Sequence, residues 1–242
     1  MSLSMHPPII LIHGSWHSGL HWKPLAQLLE QKGHKVLCLD LPGHGNNHKP
    51  ASLVTYADYY DCLKKAVEAA SEPVILVAHS MAGIISAPLL EEMADNIKHL
   101  FLIAAYVPDD GKSLLDVALR YTGSLIPQIV ENDFAAGVCR IKKEGAKEIL
   151  YNGCSEEVQT WALSKLQDQP IQPVIAPINC HYSPELAHKR TYIITEEDLD
   201  VDPQAQKDMS QSCPSRVISI KTGHFPFLSH PELLAEILLQ KI

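Results

Sequence analysis

Three kinds of residue that could together perform nucleophilic catalysis lie where predicted strands end. Ser80 follows the apolar run 74–78, and an apolar run at helical spacing continues after it. This pattern predicts a buried strand, a tight turn and a helix, with the Ser hydroxyl exposed on the turn. His224 follows the last predicted strand, and the acidic stretch 196–202 follows the strand before it. A hydroxyl needs a base to attack a carbonyl carbon, and the base needs an acid to orient it, so this set of residues predicts acyl transfer.

The turn at Ser80 is typical of a nucleophile elbow, usually written G-x-S-x-G, in which the strand and helix backbones crowd together. Ala78 and Ala82 stand at the two positions that need small residues, and Gly83 follows one position late. The alternative is a serine that only caps the helix.

The acidic stretch leaves the identity of the acid open among Asp198, Asp200 and Asp202. In an open sheet, functional groups gather at the carboxyl ends of the parallel strands. We therefore expect Ser80, one of these carboxylates and His224 to meet at one edge of the sheet. The order Ser, acid, His along the chain is the order that accompanies such an elbow.

Histidines and cysteines raise the question of a metal site. His13, His17 and His21 are spaced to share one helix face, but Gly14 and Gly19 break that helix and no carboxylate stands at ligand spacing. We therefore expect no metal there. The six cysteines form no C-x-x-C pair, so reduced thiols are expected rather than disulfides or a zinc ribbon.

The elements that must position these residues alternate between strand and helix. Strands are predicted at 8–12, 36–39, 74–78, 99–107, 191–195 and 216–220, with helices between and after them. This alternation predicts an α/β fold with a mostly parallel sheet of about six strands and helices on both faces. The alternation stops between 108 and 188, where helical pieces and a proline-rich passage but no strand are recognisable. We interpret 108–188 as a helical cap inserted into a core formed by 1–107 and 189–242.

Composition excludes some partners. The chain has 242 residues and a net charge of −8 without a basic cluster, which disfavours nucleic acid and anionic membranes as partners. No apolar run approaches the ~20 residues of a membrane helix, and residues 1–8 do not look like a signal peptide. These features predict a cytoplasmic protein. They leave its oligomeric state open.

The chain resembles the α/β-hydrolase superfamily over essentially its whole length. The resemblance rests on His13-Gly14-Ser15-Trp16, Asp40-Leu41-Pro42-Gly43-His44-Gly45, Ala78-His79-Ser80-Met81-Ala82-Gly83, and Gly223-His224 before Pro231-Glu232. Within the superfamily it is most similar to the plant methylesterase and hydroxynitrile lyase group and its bacterial esterase relatives.

This resemblance implies a catalytic triad of Ser80, Asp198 and His224. Asp198 is preferred because Thr195-Glu196-Glu197-Asp198 is similar to the family's G-x-x-D, with Thr in place of Gly. The backbone N–H groups of Ser15 and Met81 are expected to form the oxyanion hole. Trp16 and Phe225 are expected to line the substrate site.

The predicted function is that of a serine hydrolase acting on a small, largely apolar carboxylic ester through an acyl-enzyme, without a cofactor. One alternative is hydroxynitrile lyase-type cleavage on the same triad. Those lyases carry Lys directly after the catalytic His, whereas this chain has Phe225. A ligand-binding receptor with a vestigial triad is the other alternative. A haloalkane dehalogenase is disfavoured because it needs Asp at the position of Ser80.

Overall fold

The structure is a computed structural model that describes residues 6–241. Most of the segment in which the sequence predicts no signal peptide therefore lies outside the described residues. Nine strands are described: β1 (Ile9–Ile12), β2 (Val36–Leu39), β3 (Val74–His79), β4 (Ile97–Ile103), β5 (Val130–Asp133), β6 (Val138–Ile141), β7 (Gln169–Pro170), β8 (Arg190–Thr195) and β9 (Arg216–Ile220).

Six of these strands form one parallel sheet in the order β2-β1-β3-β4-β8-β9. The central strands β1 and β3 are buried along their whole length, as their continuous apolar sequences predict for strands covered on both faces. The predicted parallel sheet of about six strands is thus confirmed. Strand β4 ends four residues earlier than predicted, because Ala104 has a positive φ of 44° that turns the chain out of the sheet.

Helices cover both faces of this sheet. In chain order they are α1 (Lys23–Gln31), α2 (Tyr56–Glu68), α3 (Gly83–Glu92), α4 (Leu114–Ala118), α5 (Ile126–Ile129), α6 (Ala146–Leu150), α7 (Glu156–Leu163), α8 (Ile171–Ile175), α9 (Pro203–Ser212), α10 (Pro226–Ser229) and α11 (Pro231–Leu239). Helices α2, α3 and α9 pack on one face, and α1, α10 and α11 pack on the other. No helix among residues 6–241 is long and apolar enough to cross a bilayer.

The segment 108–188 contains a small sheet that the sequence did not predict. Strands β5, β6 and β7 pair antiparallel, in that order, beside the short helices α4 to α8. The prediction of an all-helical cap is wrong in this respect. The strands are short, and β5 (Val130-Glu131-Asn132-Asp133) has no alternating apolar pattern to indicate it. Their pairing is supported instead by ion pairs from Arg140 to Asp133 and Asp168.

Candidate active site

The chain turns sharply at Ser80, directly after β3. Ser80 has a φ of +53°, in the left-handed region that residues other than glycine rarely adopt. Its carbonyl oxygen accepts a hydrogen bond from the N–H of Tyr106 at 2.9 Å, which ties the turn to the end of β4. A short 3₁₀ turn, Ser80–Ala82, then leads into α3. The strained backbone and the strand–turn–helix sequence agree with the predicted elbow.

Around this turn, neighbouring segments approach most closely at two glycines, Gly83 and Gly14. A Cβ added to Gly83 would lie 2.3 Å from the carbonyl oxygen of Tyr106, and one added to Gly14 would lie 2.8 Å from the Cβ of Ser80. Ala78 and Ala82 are fully buried, yet the side-chain methyl groups fit at both positions. The elbow can therefore contain two alanines because the closest backbone approach is at Gly83.

Asp198 is the carboxylate that pairs with His224. The Nδ1–H of His224 donates to Oδ2 of Asp198 at 2.7 Å. The other oxygen, Oδ1, accepts from the backbone N–H groups of Asp200 and Val201 at 2.8 and 2.9 Å. Both side chains of the pair are almost fully buried, so these bonds are shielded from water.

Two further side chains hold the Asp198 carboxylate. The hydroxyl of Thr195 donates to Oδ2 at 2.7 Å, and the Nε2 amide of Gln206 donates to the same oxygen at 3.0 Å. Thr195, which departs from the glycine of the family pattern, thus contributes a hydrogen bond. Sequence reasoning missed Gln206. Its position on the buried face of α9 beside Ala205 and Met209 would ordinarily indicate an apolar residue.

His224 is buried, and the backbone of its loop forms a hydrogen bond with a second histidine. His79, the residue before Ser80, donates from Nε2 to the carbonyl oxygen of His224 at 2.8 Å. Among residues 6–241, no hydrogen-bond partner is present for Nε2 of His224, so the structure shows no bond between this atom and the Ser80 hydroxyl. The imidazole therefore has one nitrogen in a short hydrogen bond and one without a hydrogen bond among these residues.

Histidine protonation distinguishes His224 from its neighbours. Burial lowers the pKa of the other buried histidines in this region, to about 4 for His13 and well below the usual value for His17, His44 and His79. Burial also acts to lower the pKa of His224. The nearby carboxylates of Asp198 and Asp200 outweigh it, and the pKa of His224 is raised.

The other two candidate acids have different positions. Asp200 is buried, with its Oδ2 at 3.3 Å from Nε2 of His224. Asp202 caps α9 by accepting a hydrogen bond from the N–H of Gln204 at 2.8 Å. The structure therefore brings Asp198 and Asp200 to the two sides of the imidazole and places Asp202 at a helix terminus.

The histidines with metal-like spacing brace the loop 13–17. His13 donates from Nδ1 to the carbonyl of Gly14, and its Nε2 accepts from the N–H of Leu41 at 3.1 Å. His17 donates from Nδ1 to the carbonyl of Ser15, and its Nε2 accepts from the hydroxyl of Tyr151 at 2.8 Å. Both rings thus act as neutral donor–acceptor links in this loop.

Trp16 joins this loop to the small sheet of the segment 108–188. Its φ is +62°, and its indole N–H donates to the carbonyl of Cys139 in β6 at 3.1 Å. Its backbone N–H also donates to the side chain of Gln169 in β7 at 3.3 Å. Only 8% of Trp16 is exposed. These contacts are those of a structural anchor, and its predicted role in lining the substrate site stays a prediction.

The remaining predicted site residues lie close to the elbow. Phe225 is buried, with its ring centroid 4.8 Å from that of His224 and 5.2 Å from that of Tyr151. Met81 follows Ser80 on the turn, and Ser15 follows Gly14, whose Cα faces Ser80. The two expected oxyanion donors thus lie on loops that meet at Ser80, and their role stays a prediction.

Comparison with known proteins gives consistent matches across the chain. The profile of the "Alpha/beta hydrolase family" matches residues 9–237. Methylesterase 9 of Arabidopsis thaliana is 25% identical over 248 residues, which cover 96% of both chains. Salicylic acid-binding protein 2 of Nicotiana tabacum is 28% identical over 254 residues, covering 96% of this chain and 95% of the other.

Solved structures show the same fold. A pyrethroid hydrolase from Sphingobium faniae JZ-2 superposes with a TM-score of 0.84 at 23% identity, covering 98% of this chain and 97% of the other. Polyneuridine aldehyde esterase gives a TM-score of 0.83 at 22% identity, covering 98% of this chain and 99% of the other. The matches confirm the predicted resemblance to a fold family that includes the plant methylesterases.

Proposed function

Because this chain belongs to the alpha/beta hydrolase family, we propose that it is a serine hydrolase that cleaves a small, largely apolar carboxylic ester. Ser80 is the nucleophile, His224 the general base and Asp198 the acid that orients the base. The observation that carries the proposal is the buried 2.7 Å hydrogen bond from Nδ1–H of His224 to Asp198, at the end of the sheet where Ser80 occupies a strained turn.

The reaction proceeds in two acyl-transfer steps. In the first, Nε2 of His224 accepts the Ser80 proton as Oγ attacks the ester carbonyl, and the same nitrogen then returns the proton to the departing alcohol. In the second, Nε2 takes a proton from water, which attacks the acyl-enzyme, and Nε2 then returns this proton to Oγ of Ser80 as the bond to the acyl group breaks and the carboxylic acid leaves. Asp198 holds Nδ1 protonated throughout and stabilises the imidazolium that forms in each step.

The charge that develops on the carbonyl oxygen needs two donors. The N–H groups of Ser15 and Met81 are suited to this role because their loops converge on Ser80. Loss of one such donor typically costs ~3 kcal/mol of transition-state stabilisation. The chemistry requires no cofactor, because the nucleophile, base and oxyanion donors all belong to the chain.

The relatives support an ester as the substrate class. Methylesterase 9 and polyneuridine aldehyde esterase are esterases by name, and both cover nearly the whole chain. The buried ring of Phe225 stands directly after His224, where a cyanide-releasing lyase of this group carries a lysine. An apolar side chain there offers no partner for a cyanide anion, which favours ester hydrolysis. A cytoplasmic location and small-molecule partners stay predictions from the sequence.

The nucleophile can be tested with a matched pair of serine substitutions. Ser80→Ala should abolish turnover of p-nitrophenyl esters of increasing acyl length, because the proposed acyl-enzyme forms on Oγ of Ser80. Ser86→Ala is the control, since Ser86 is buried on α3 and its hydroxyl has no hydrogen-bond partner among residues 6–241. It should keep wild-type kcat. A fluorophosphonate should label Ser80 alone, as located by mass spectrometry.

Measurements on the wild-type and Ser80→Ala proteins also distinguish the ester hydrolase from a lyase and from a binding protein. A folded Ser80→Ala protein that kept most of its kcat would show that the mechanism is wrong. Efficient release of cyanide from mandelonitrile by the wild-type protein, dependent on Ser80, would instead establish the lyase. A wild-type protein that takes up no fluorophosphonate and turns over no ester would indicate a binding protein.

A further inference from the structure

The imidazole of His224 lies between two carboxylates, of which the proposed mechanism uses one. Asp198 binds Nδ1 at 2.7 Å, and Oδ2 of Asp200 lies 3.3 Å from Nε2. Asp200 is held in place by its own backbone, because its N–H donates to Oδ1 of Asp198 at 2.8 Å. Only 5% of Asp200 is exposed, so water cannot effectively screen its carboxylate from the ring.

The position of Asp200 is significant because Nε2 is the working nitrogen. Under the proposed function, this atom must be unprotonated before it can accept the Ser80 proton. A carboxylate on the Nε2 side stabilises an Nε2–H and thus the imidazolium, which cannot act as a base. Asp200 therefore favours the protonated ring, whereas the attack by Ser80 requires the unprotonated ring.

The groups that face this pair come from several elements and add no positive charge. Besides Asp198, they are His79 at the end of β3, Tyr106 after β4, and Tyr151 after α6. Burial lowers the pKa of His79, so this ring is neutral. Burial, reinforced by Asp200, raises the pKa of both tyrosines well above the usual value, so they are neutral phenols.

The titration of the pair agrees with this geometry. Burial raises the pKa of Asp200 to about 6, with His224 opposing the rise and Asp198 adding to it. Asp200 also contributes to the raised pKa of His224. Two groups in such contact lose their protons in linked steps, which shifts the appearance of neutral His224 to higher pH.

We propose that Asp200 is a positioning residue that holds His224 protonated in the free enzyme and so sets the pH at which ester hydrolysis begins. This role rests on the proposed serine hydrolase function. In this role, Asp200 is a second carboxylate beside His224, and it lies on the Nε2 side, where the proton is exchanged with Ser80.

The test is the pH dependence of kcat/KM for Asp200→Asn, measured with a p-nitrophenyl ester that the wild-type protein turns over. The acidic limb of that profile reports the base of the free enzyme. Removing the negative charge makes the imidazolium less stable, so the midpoint of the limb should move to lower pH by about one unit. A role confined to folding would lower kcat/KM at every pH and leave the midpoint in place.

Asp202→Asn is the matched control, because it removes the same charge two residues away. Asparagine can keep the cap of α9, and the hydrogen bonds of the Asp202 carboxylate are accepted from the N–H groups of Gln204 and Gly123. Its acidic limb should coincide with that of the wild type. Asp200→Ser, which is smaller and also uncharged, should reproduce the shift if Asp200→Asn folds poorly.

Two results would overturn the proposal. One is an unchanged midpoint in both Asp200 variants, and the other is an equal shift in Asp202→Asn, which would indicate a general charge effect. Either result is distinct from failure of the proposed function, because it is read from a protein whose Ser80-dependent esterase activity is intact. The rate of fluorophosphonate labelling of Ser80 against pH gives the same midpoint without depending on any ester.

Discussion

The two nitrogens of the His224 ring face regions of the molecule that are built differently. On the Nδ1 side, Asp198 receives hydrogen bonds from two backbone N–H groups, the hydroxyl of Thr195 and the amide of Gln206. On the Nε2 side, no hydrogen bond is formed with any residue in the range 6–241, and the nearest charged group is Asp200.

This difference suits the Nδ1 side for holding the ring in position and the Nε2 side for exchanging protons. Hydrogen bonds that satisfy a buried carboxylate fix its orientation, which is what an orienting acid needs. A nitrogen that must exchange protons with a nucleophile, a leaving group and water cannot have a permanent partner. Under the proposed mechanism, the Nδ1 side thus restrains the base, and the Nε2 side leaves it without a hydrogen bond that a reacting group would have to break.

Substitution of Asp198, on the Nδ1 side of the ring, should cause the largest loss of kcat. Asp198→Asn should lower kcat about 10⁴-fold, because the amide favours the wrong tautomer of His224. Steady-state kinetics on a p-nitrophenyl ester measures the loss. Asp202→Asn, at the cap of α9, should change kcat several-fold at most. A tolerant Asp198 with a large loss at Asp202 would show that the triad acid is misassigned.

The support behind Asp198 should have a smaller effect. Gln206→Met removes the hydrogen bond to Oδ2 of Asp198 and the 2.8 Å bond to the carbonyl of Val201. It also removes the acceptor of the 3.0 Å bond from the backbone N–H of Thr195. A bond to a buried carboxylate contributes roughly 1.5–3 kcal/mol, so kcat should fall by about 10- to 150-fold if the whole contribution acts on the transition state. Gln204→Met, on the same helix, loses only a surface bond to Asp208 and should keep wild-type kcat. Equal losses in the two variants would refute a special role for Gln206.

The contact between the loop 13–17 and the small sheet should have the smallest effect, and on stability rather than rate. Trp16→Phe removes the indole bond to the carbonyl of Cys139, so the free energy of unfolding in urea should fall by about 1 kcal/mol. Trp161→Phe is the control, since its indole packs against His21 on the outside of the core. A large rise in KM for Trp16→Phe would instead support the predicted role of Trp16 in lining the substrate site.

Much of the fold could be predicted because it follows from local patterns. Strands β1 and β3 are continuous apolar runs that end at His13-Gly14 and His79-Ser80, and the structure ends the strands at these points. The small sheet could not be predicted in this way. Strand β5 is mostly polar, and it pairs with β6 through backbone hydrogen bonds and an ion pair between Asp133 and Arg140. Arg140 also pairs with Asp168, 28 positions away and next to β7, a contact that no local pattern indicates.

Within the candidate site, the sequence by itself determined that Ser80 and His224 stand at strand ends and that an acid stands between them in the chain. It could not choose by residue type among three aspartates in one loop. The tertiary structure distinguishes the three by position, because the path of the loop after β8 directs Asp198 to Nδ1 and Asp200 toward Nε2, and leaves Asp202 to cap α9. It also decided the part played by Gln206, since only the packing of α9 against β8 brings that amide to the carboxylate. The physical reason is that the sequence fixes which groups occur at the edge of the sheet, whereas hydrogen bonds between distant segments fix which groups meet.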